Sequence, residues 1–237
     1  MKIGLLECDH VAESNLEIAG DYRDMFAALL PDLEWGYYDV CQGHFPERAD
    51  ACAAYLCTGS KHSVYDQEPW ILQLKSFVRE IYAGGQAFIG VCFGHQMLGE
   101  ALGGKVEKAA SGWNVGVQQF DILQAEAWMT PFQTPLRLLM MCQDQVVQLP
   151  ENSTLLAATA TCPVGMFRVG SAMLGIQAHP EFSKAYTQRL MELRREKIGP
   201  VKVAKALEGL GQDVNSTVFA QWITAFLQQN IGTAHQQ

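Results

Sequence analysis

The stretch QAFIGVCFGHQMLGEALGG, residues 86–104, constrains the fold more tightly than any other part of the chain. An apolar strand candidate, QAFIGVC, passes without a linker into a helix candidate, FGHQMLGEALGG, which glycines terminate. The junction is GVCFG, with Cys92 between Gly90 and Gly94. A glycine two residues before and two after a central residue is what a tight strand-turn-helix needs. Side chains at those positions would collide while the central residue is held in a strained conformation.

The same strand-to-helix alternation precedes this turn. KIGLLEC (2–8) is followed by DYRDMFAALL, where Tyr22, Met25, Phe26, Leu29 and Leu30 recur at helical spacing. LEWGYYDV (33–40) and ACAAYLC (51–57) are further strand candidates, the second too uniformly apolar for a solvent face, as in a central parallel strand. After the polar loop TGSKHSVYD comes EPWILQLKSFVREIYAGG, a helix with Pro69 in its first turn and a stop at Gly84 and Gly85. Strands alternating with helices predict an α/β fold with a central, mostly parallel sheet covered on both faces.

Past residue 104 the texture changes. KVEKA, NVGVQQFDIL, LRLLMMC, TLLAATA, CPVGMFRVG and AMLGIQA are strand-like, separated by short turn-rich loops, and predict antiparallel strands added to the same core and forming an edge subsheet. From Ser183 the chain is helical again, and its last helix, STVFAQWITAFLQQN, aligns Val218, Trp222, Ile223 and Phe226 on one face. No linker-like tract interrupts the chain. A single domain over 1–237 is therefore expected, with a core of about 1–195 and a helical C-terminal extension over 196–237.

Composition narrows the function classes. A formal net charge of -8 leaves no global basic surface for phosphate backbones, so nucleic acid is not an expected partner. No run approaches the length needed to span a bilayer, and MKIGLLEC has no charged leader, so a cytoplasmic location without membrane contact is the expectation. The seven cysteines include no CxxC pair, which argues against a disulfide framework and a structural zinc site. His10, His44 and His62 lie in polar loops without clustered ligand spacing and are expected to be solvated; no metal or cofactor is expected.

At the elbow, Cys92 precedes a helix whose unpaired N–H groups and dipole favour a thiolate and can hold an oxyanion. The chemistry needs a base, and IQAHPEF (176–182) offers one. If the strand AMLGIQA continues extended through HPE, Glu181 lies on the same side as His179 and can orient its ring, with Pro180 keeping the backbone extended. The alternative is a strand-end histidine that only caps backbone groups. His95 sits on the helix beside the nucleophile and is expected to be a packing or rim residue.

The two motifs together, GVCFGHQMLGEALGG and IQAHPEF, resemble the class I, triad-type glutamine amidotransferases, in particular stand-alone proteins similar to the glutaminase domain of GMP synthetase. The resemblance covers roughly residues 40–185 and implies a flavodoxin-like core. It further implies that Cys92 attacks a γ-glutamyl carboxamide to give a thioester and ammonia, with His179 as acid and base and Glu181 orienting it. Gly59 and the N–H of Phe93 match the family's oxyanion-hole donors, and Gln96 its glutamine-binding residue. In SGWNVGV, Trp113 and Asn114 match a segment that contacts bound glutamine. Within MCQDQVVQLP the chain carries Gln143 in a segment where relatives often have a histidine.

The expected partner is thus glutamine or another γ-glutamyl small molecule. The C-terminal helices carry no nucleotide-binding loop, so a synthetase activity would need a partner subunit as ammonia acceptor. Two other readings stand beside glutaminase chemistry: a γ-glutamyl peptidase acting on glutathione-like compounds, and a binding or regulatory module on the same fold that needs a partner.

Overall fold

The computed structural model describes residues 2–231. In chain order the first strands are β1 (Lys2–Leu6), β2 (Glu34–Tyr38), β3 (Ala54–Cys57), β4 (Ala87–Val91), β5 (Lys105–Lys108) and β6 (Asn114–Ile122). They are followed by β7 (Leu136–Cys142), β8 (Asp144–Gln148), β9 (Ser153–Thr159), β10 (Cys162–Val169) and β11 (Met173–Ile176). The helices are α1 (Leu16–Ala19), α2 (Tyr22–Leu29), α3 (Pro69–Gly84), α4 (Phe93–Ala101), α5 (Lys184–Leu193), α6 (Arg195–Ile198), α7 (Pro200–Gly209) and α8 (Ser216–Ile231).

Nine strands form one sheet in the order β2-β1-β3-β4-β11-β10-β9-β6-β7. The first five are mutually parallel, and from β10 onward every pairing is antiparallel. The expected change of texture after residue 104 is therefore real, and most of the later strands extend the main sheet; AMLGIQA, expected to be antiparallel, instead supplies β11, which is parallel to β4 and antiparallel only to β10. A separate two-stranded antiparallel sheet pairs β5 with β8. Strand β8 is absent from the sequence reading because only Gln143 separates it from β7, with no glycine or proline to mark the break.

Side chains alternate between two apolar layers, as the period of a strand requires. Ile3, Leu5, Ala54, Leu56, Ile89 and Val91 point to one layer, closed by Phe26 of α2 and by Phe219, Trp222 and Phe226 of α8. Tyr55, Cys57 and Phe88 point to the other, closed by Leu74, Phe77 and Val78 of α3 and by Phe93 and Met97 of α4. Helix α3 has proline in its first turn and ends at Gly85 in the left-handed region (φ 74), as its sequence predicts.

The apolar face of α8 is buried against the parallel strands, so the last helix helps to build the core. Trp222 is fully buried, and its indole Nε1 donates to the carbonyl of Pro131 at 2.9 Å. Replacing Trp222 with alanine is expected to cost about 3–5 kcal/mol. Denaturant unfolding should show that loss as a shift of one cooperative transition; an unchanged midpoint would contradict the packing described.

Candidate functional site

Cys92 follows β4 and caps the N-terminus of α4 with φ 52 and ψ -97, one of only two non-glycine residues at positive φ among those described. Its neighbours account for the glycines around it. A methyl group on Gly90 would overlap the backbone of Gly94, and one on Gly94 would overlap the carbonyl of Cys57. The elbow is tied down by hydrogen bonds from Cys92 N to Ile176 O (2.9 Å) and from Gly94 N to Thr58 O (3.2 Å).

The parallel pairing of β4 with β11, with Val91 opposite Ile176, brings the chain after β11 to the same sheet edge as Cys92. His179 is 3% exposed and is held by a backbone hydrogen bond to Leu139 O at 2.8 Å. Its Nδ1 lies 2.7 Å from Glu181 Oε1, and its ring stacks on Phe182 with centroids 3.9 Å apart and planes 8° from parallel. Phe182 in turn meets Tyr186 edge-on. Burial works against a charged imidazole, but the adjacent Cys92 sulfur and the Glu181 carboxylate outweigh it and push the pKa of His179 up to about 10. The ring is therefore poised to be an imidazolium at neutral pH.

Gly59 lies against both groups: a Cβ there would come 2.8 Å from His179 Cε1 and 3.8 Å from Cys92 Cβ. Among the described residues its N–H has no internal partner, and the N–H of Phe93, first residue of α4, has none to find one turn back. Gln96 is 4% exposed; its Nε2 donates to Asp144 O (2.7 Å) and to Gln177 Oε1 (3.3 Å).

A cleft of about 350 Å³ opens over Cys92 and Gln96. Trp113 lines it with the Lys197 ammonium over its ring, 5.6 Å from the centroid, and Gln143 lines it too. Asn114 does not line the cleft; its amide donates to Thr161 O, in the turn between β9 and β10, at 3.1 Å. The rim carries Lys61, Lys108, Arg194 and Lys197. Lys61 is paired with Asp9 at 2.9 Å, whereas Lys108, Arg194 and Lys197 make no ion pair among the described residues. The carboxylate in the cleft, Asp144, is occupied by the hydroxyls of Ser63 (2.5 Å) and Tyr65 (3.0 Å).

Three other histidines have defined surroundings. His95 is fully buried, edge-on to Phe167, and burial holds its pKa down to about 4, so it is a neutral packing residue. His10, expected to be solvated, is instead gripped by two carboxylates, Asp21 (2.7 Å) and Asp39 (3.2 Å). His62 meets Trp70 edge-on and lines the cleft. Sequence reasoning missed Gln177, whose Nε2 donates to Cys92 Sγ at 3.6 Å. The alternation that placed Glu181 beside His179 also places Gln177 there, so that signal was available. The cationic rim had no such signal, because its members come from segments far apart in sequence.

Comparison with known proteins follows the same residues. Residues 64–194, which include Cys92, His179 and Glu181, match the model of the family described as glutamine amidotransferase class-I. Gamma-glutamyl peptidase 4 of Arabidopsis thaliana is 31% identical over 174 residues, covering 70% of this chain and 69% of that protein. A GMP synthase (glutamine-hydrolyzing) of Porphyromonas gingivalis is 26% identical over 212 residues, covering 78% of this chain but only 40% of the synthase. A glutamine amidotransferase from Thermotoga maritima superposes with a TM-score of 0.74 at 20% identity over 97% of this chain and 98% of its own, a likeness of fold. The match of the family model across more than half of the chain, with a peptidase relative above 30% identity, makes this protein a member of the class I glutamine amidotransferase family.

Proposed function

We propose that the protein hydrolyses γ-glutamyl amides through a γ-glutamyl thioester, with Cys92 as nucleophile. The observation that carries this reading is the strained Cys92 at the N-terminus of α4 beside the buried His179–Glu181 pair. In the first step Cys92 Sγ bonds to the carboxamide carbon, and the oxyanion is held by the N–H groups of Gly59 and Phe93. The C–N bond then breaks as His179 gives its proton to the leaving nitrogen. Water, deprotonated by His179, attacks the thioester and releases the γ-carboxylate and Cys92. Glu181 fixes the ring and supports its charge, while Gln96 and Trp113 border the substrate.

The cleft favours a γ-glutamyl peptide over free glutamine. Glutamine is a zwitterion whose single carboxylate needs one cation, yet Lys108, Arg194 and Lys197 stand unpaired around the nucleophile of a chain with net charge -8. A leaving group that carries its own carboxylate would meet them. The peptidase relative agrees with this choice, and water as acceptor requires no synthetase partner.

Kinetics, mass spectrometry and NMR titration test these roles. The purified chain should turn over a γ-glutamyl dipeptide about 10–100-fold faster in kcat/KM than its C-terminal amide, the difference expected of a charge-assisted hydrogen bond. Cys92→Ser should abolish both activities and the thioester adduct seen by mass spectrometry. Equal use of acid and amide removes the cationic subsite; no turnover and no adduct with any γ-glutamyl compound removes the reaction itself. Glu181→Gln takes away a negative charge that favours the imidazolium, so His179 should lose its proton at a pH about 1–3 units lower. Titration of the imidazole by NMR checks this shift, and the alkaline limb of kcat/KM should move in the same direction.

A further inference from the structure

We propose that His10 Nε2, one carboxylate oxygen of Asp39 and Cys41 Sγ form a binding site for a single transition-metal dication of the zinc class, outside the cleft. His10 lies in the loop after β1, and Asp39 and Cys41 lie directly after β2. Those strands are parallel neighbours, with Leu6 opposite Tyr38. The pairing continues past the strands through Glu7 N to Tyr38 O (2.9 Å) and Cys41 N to Glu7 O (3.2 Å), so both ligand-bearing segments are fixed by the sheet.

The three ligand atoms lie within 4.8 Å of one another. His10 Nε2 is 3.2 Å from Asp39 Oδ2, and Cys41 Sγ is 3.2 Å from Asp39 Oδ1. Zinc at about 2.0–2.3 Å from nitrogen, oxygen and sulfur donors in a tetrahedron separates those donors by about 3.2–3.7 Å, so side-chain rotation must draw His10 Nε2, Cys41 Sγ and one Asp39 oxygen in from their present spread of up to 4.8 Å. Nitrogen, oxygen and thiolate together suit zinc rather than magnesium or calcium, and two anionic ligands neutralise the dication.

The surroundings supply what such a site needs beyond its ligands. His10 Nδ1 lies 2.7 Å from Asp21 Oδ2, which fixes the tautomer that leaves Nε2 for the metal. The side chains of His10 and Asp39 are 34% and 25% exposed, giving the ion an entry path and a fourth position for water. Binding displaces the Nε2 proton and the thiol proton to solvent. A plain ionic clamp between Asp21 and Asp39 would account for His10 but not for Cys41, whose thiol is directed at the same carboxylate. Glu7 is also close, but Arg23 occupies both of its oxygens at 2.9 and 2.7 Å.

The site adjoins the cleft wall. His10 N donates to Asp9 Oδ1 at 2.9 Å, and Asp9 accepts from both the backbone N and the Nζ of Lys61, each at 2.9 Å. A bound ion would therefore stiffen the loop that positions Lys61.

Titration of the purified protein with Co²⁺ should show one equivalent bound, with thiolate-to-metal charge-transfer absorption and release of protons. The absorption should persist in Cys92→Ser, disappear in Cys41→Ser, and weaken in Asp21→Asn by about 10–100-fold in affinity. His10→Gln, which should also lose the ion, is the second variant if Cys41→Ser does not fold, and circular dichroism checks each. Failure of the wild type to bind stoichiometrically overturns the proposal. So does absorption that vanishes in Cys92→Ser but survives in Cys41→Ser.

Discussion

Everything at the candidate site depends on how closely the backbone of α4 approaches the strands beside it. Gly90 lies against Gly94, and Gly94 lies against the Cys57 carbonyl, with no room for a side chain at either position. That approach is what aims the Cys92 sulfur outward at positive φ and puts the first N–H of α4 next to it. Strain of this kind costs of order 1–3 kcal/mol and persists only where the surroundings over-determine it. Here the backbone bonds of Cys92 to β11 and of Gly94 to the end of β3 supply that restraint, from the two strands flanking β4.

The parallel half of the molecule was legible because its physics is local. Apolar runs bounded by glycine, a proline in the first turn of α3 and the glycine-flanked cysteine each report a nearby backbone requirement. The relation of Cys92 to His179 is not local: it depends on the parallel pairing of β4 with β11, which ends both strands at the same edge of the sheet. The antiparallel half was less legible. Strand β8 carries no turn signal before it, and the pairing of β5 with β8 depends on tertiary packing rather than on either segment's own pattern.

Charge was the least legible property of the site. A global surplus of acidic residues argues against a nucleic-acid partner, but it says nothing about where the basic residues gather. Lys108 comes from the end of β5, and Arg194 and Lys197 come from the boundary of α5 and α6. Only the fold brings them to one rim. His10 was misjudged for a similar reason: its carboxylate neighbours belong to the N-terminus of α2 and the end of β2, and spacing along the chain does not reveal that they meet.

Strand β11 is the seam of the sheet, parallel to β4 on one side and antiparallel to β10 on the other. Cys92 belongs to the parallel side, while Lys108, Gln143 and Asp144 reach the cleft from β5, β8 and the turn before β8. In the proposed reaction, bond-breaking thus rests on the main sheet and discrimination largely on the separate β5–β8 pair. Substitutions in that small sheet would remodel what is accepted while leaving the elbow's backbone untouched, which gives this architecture a modular route to new specificities.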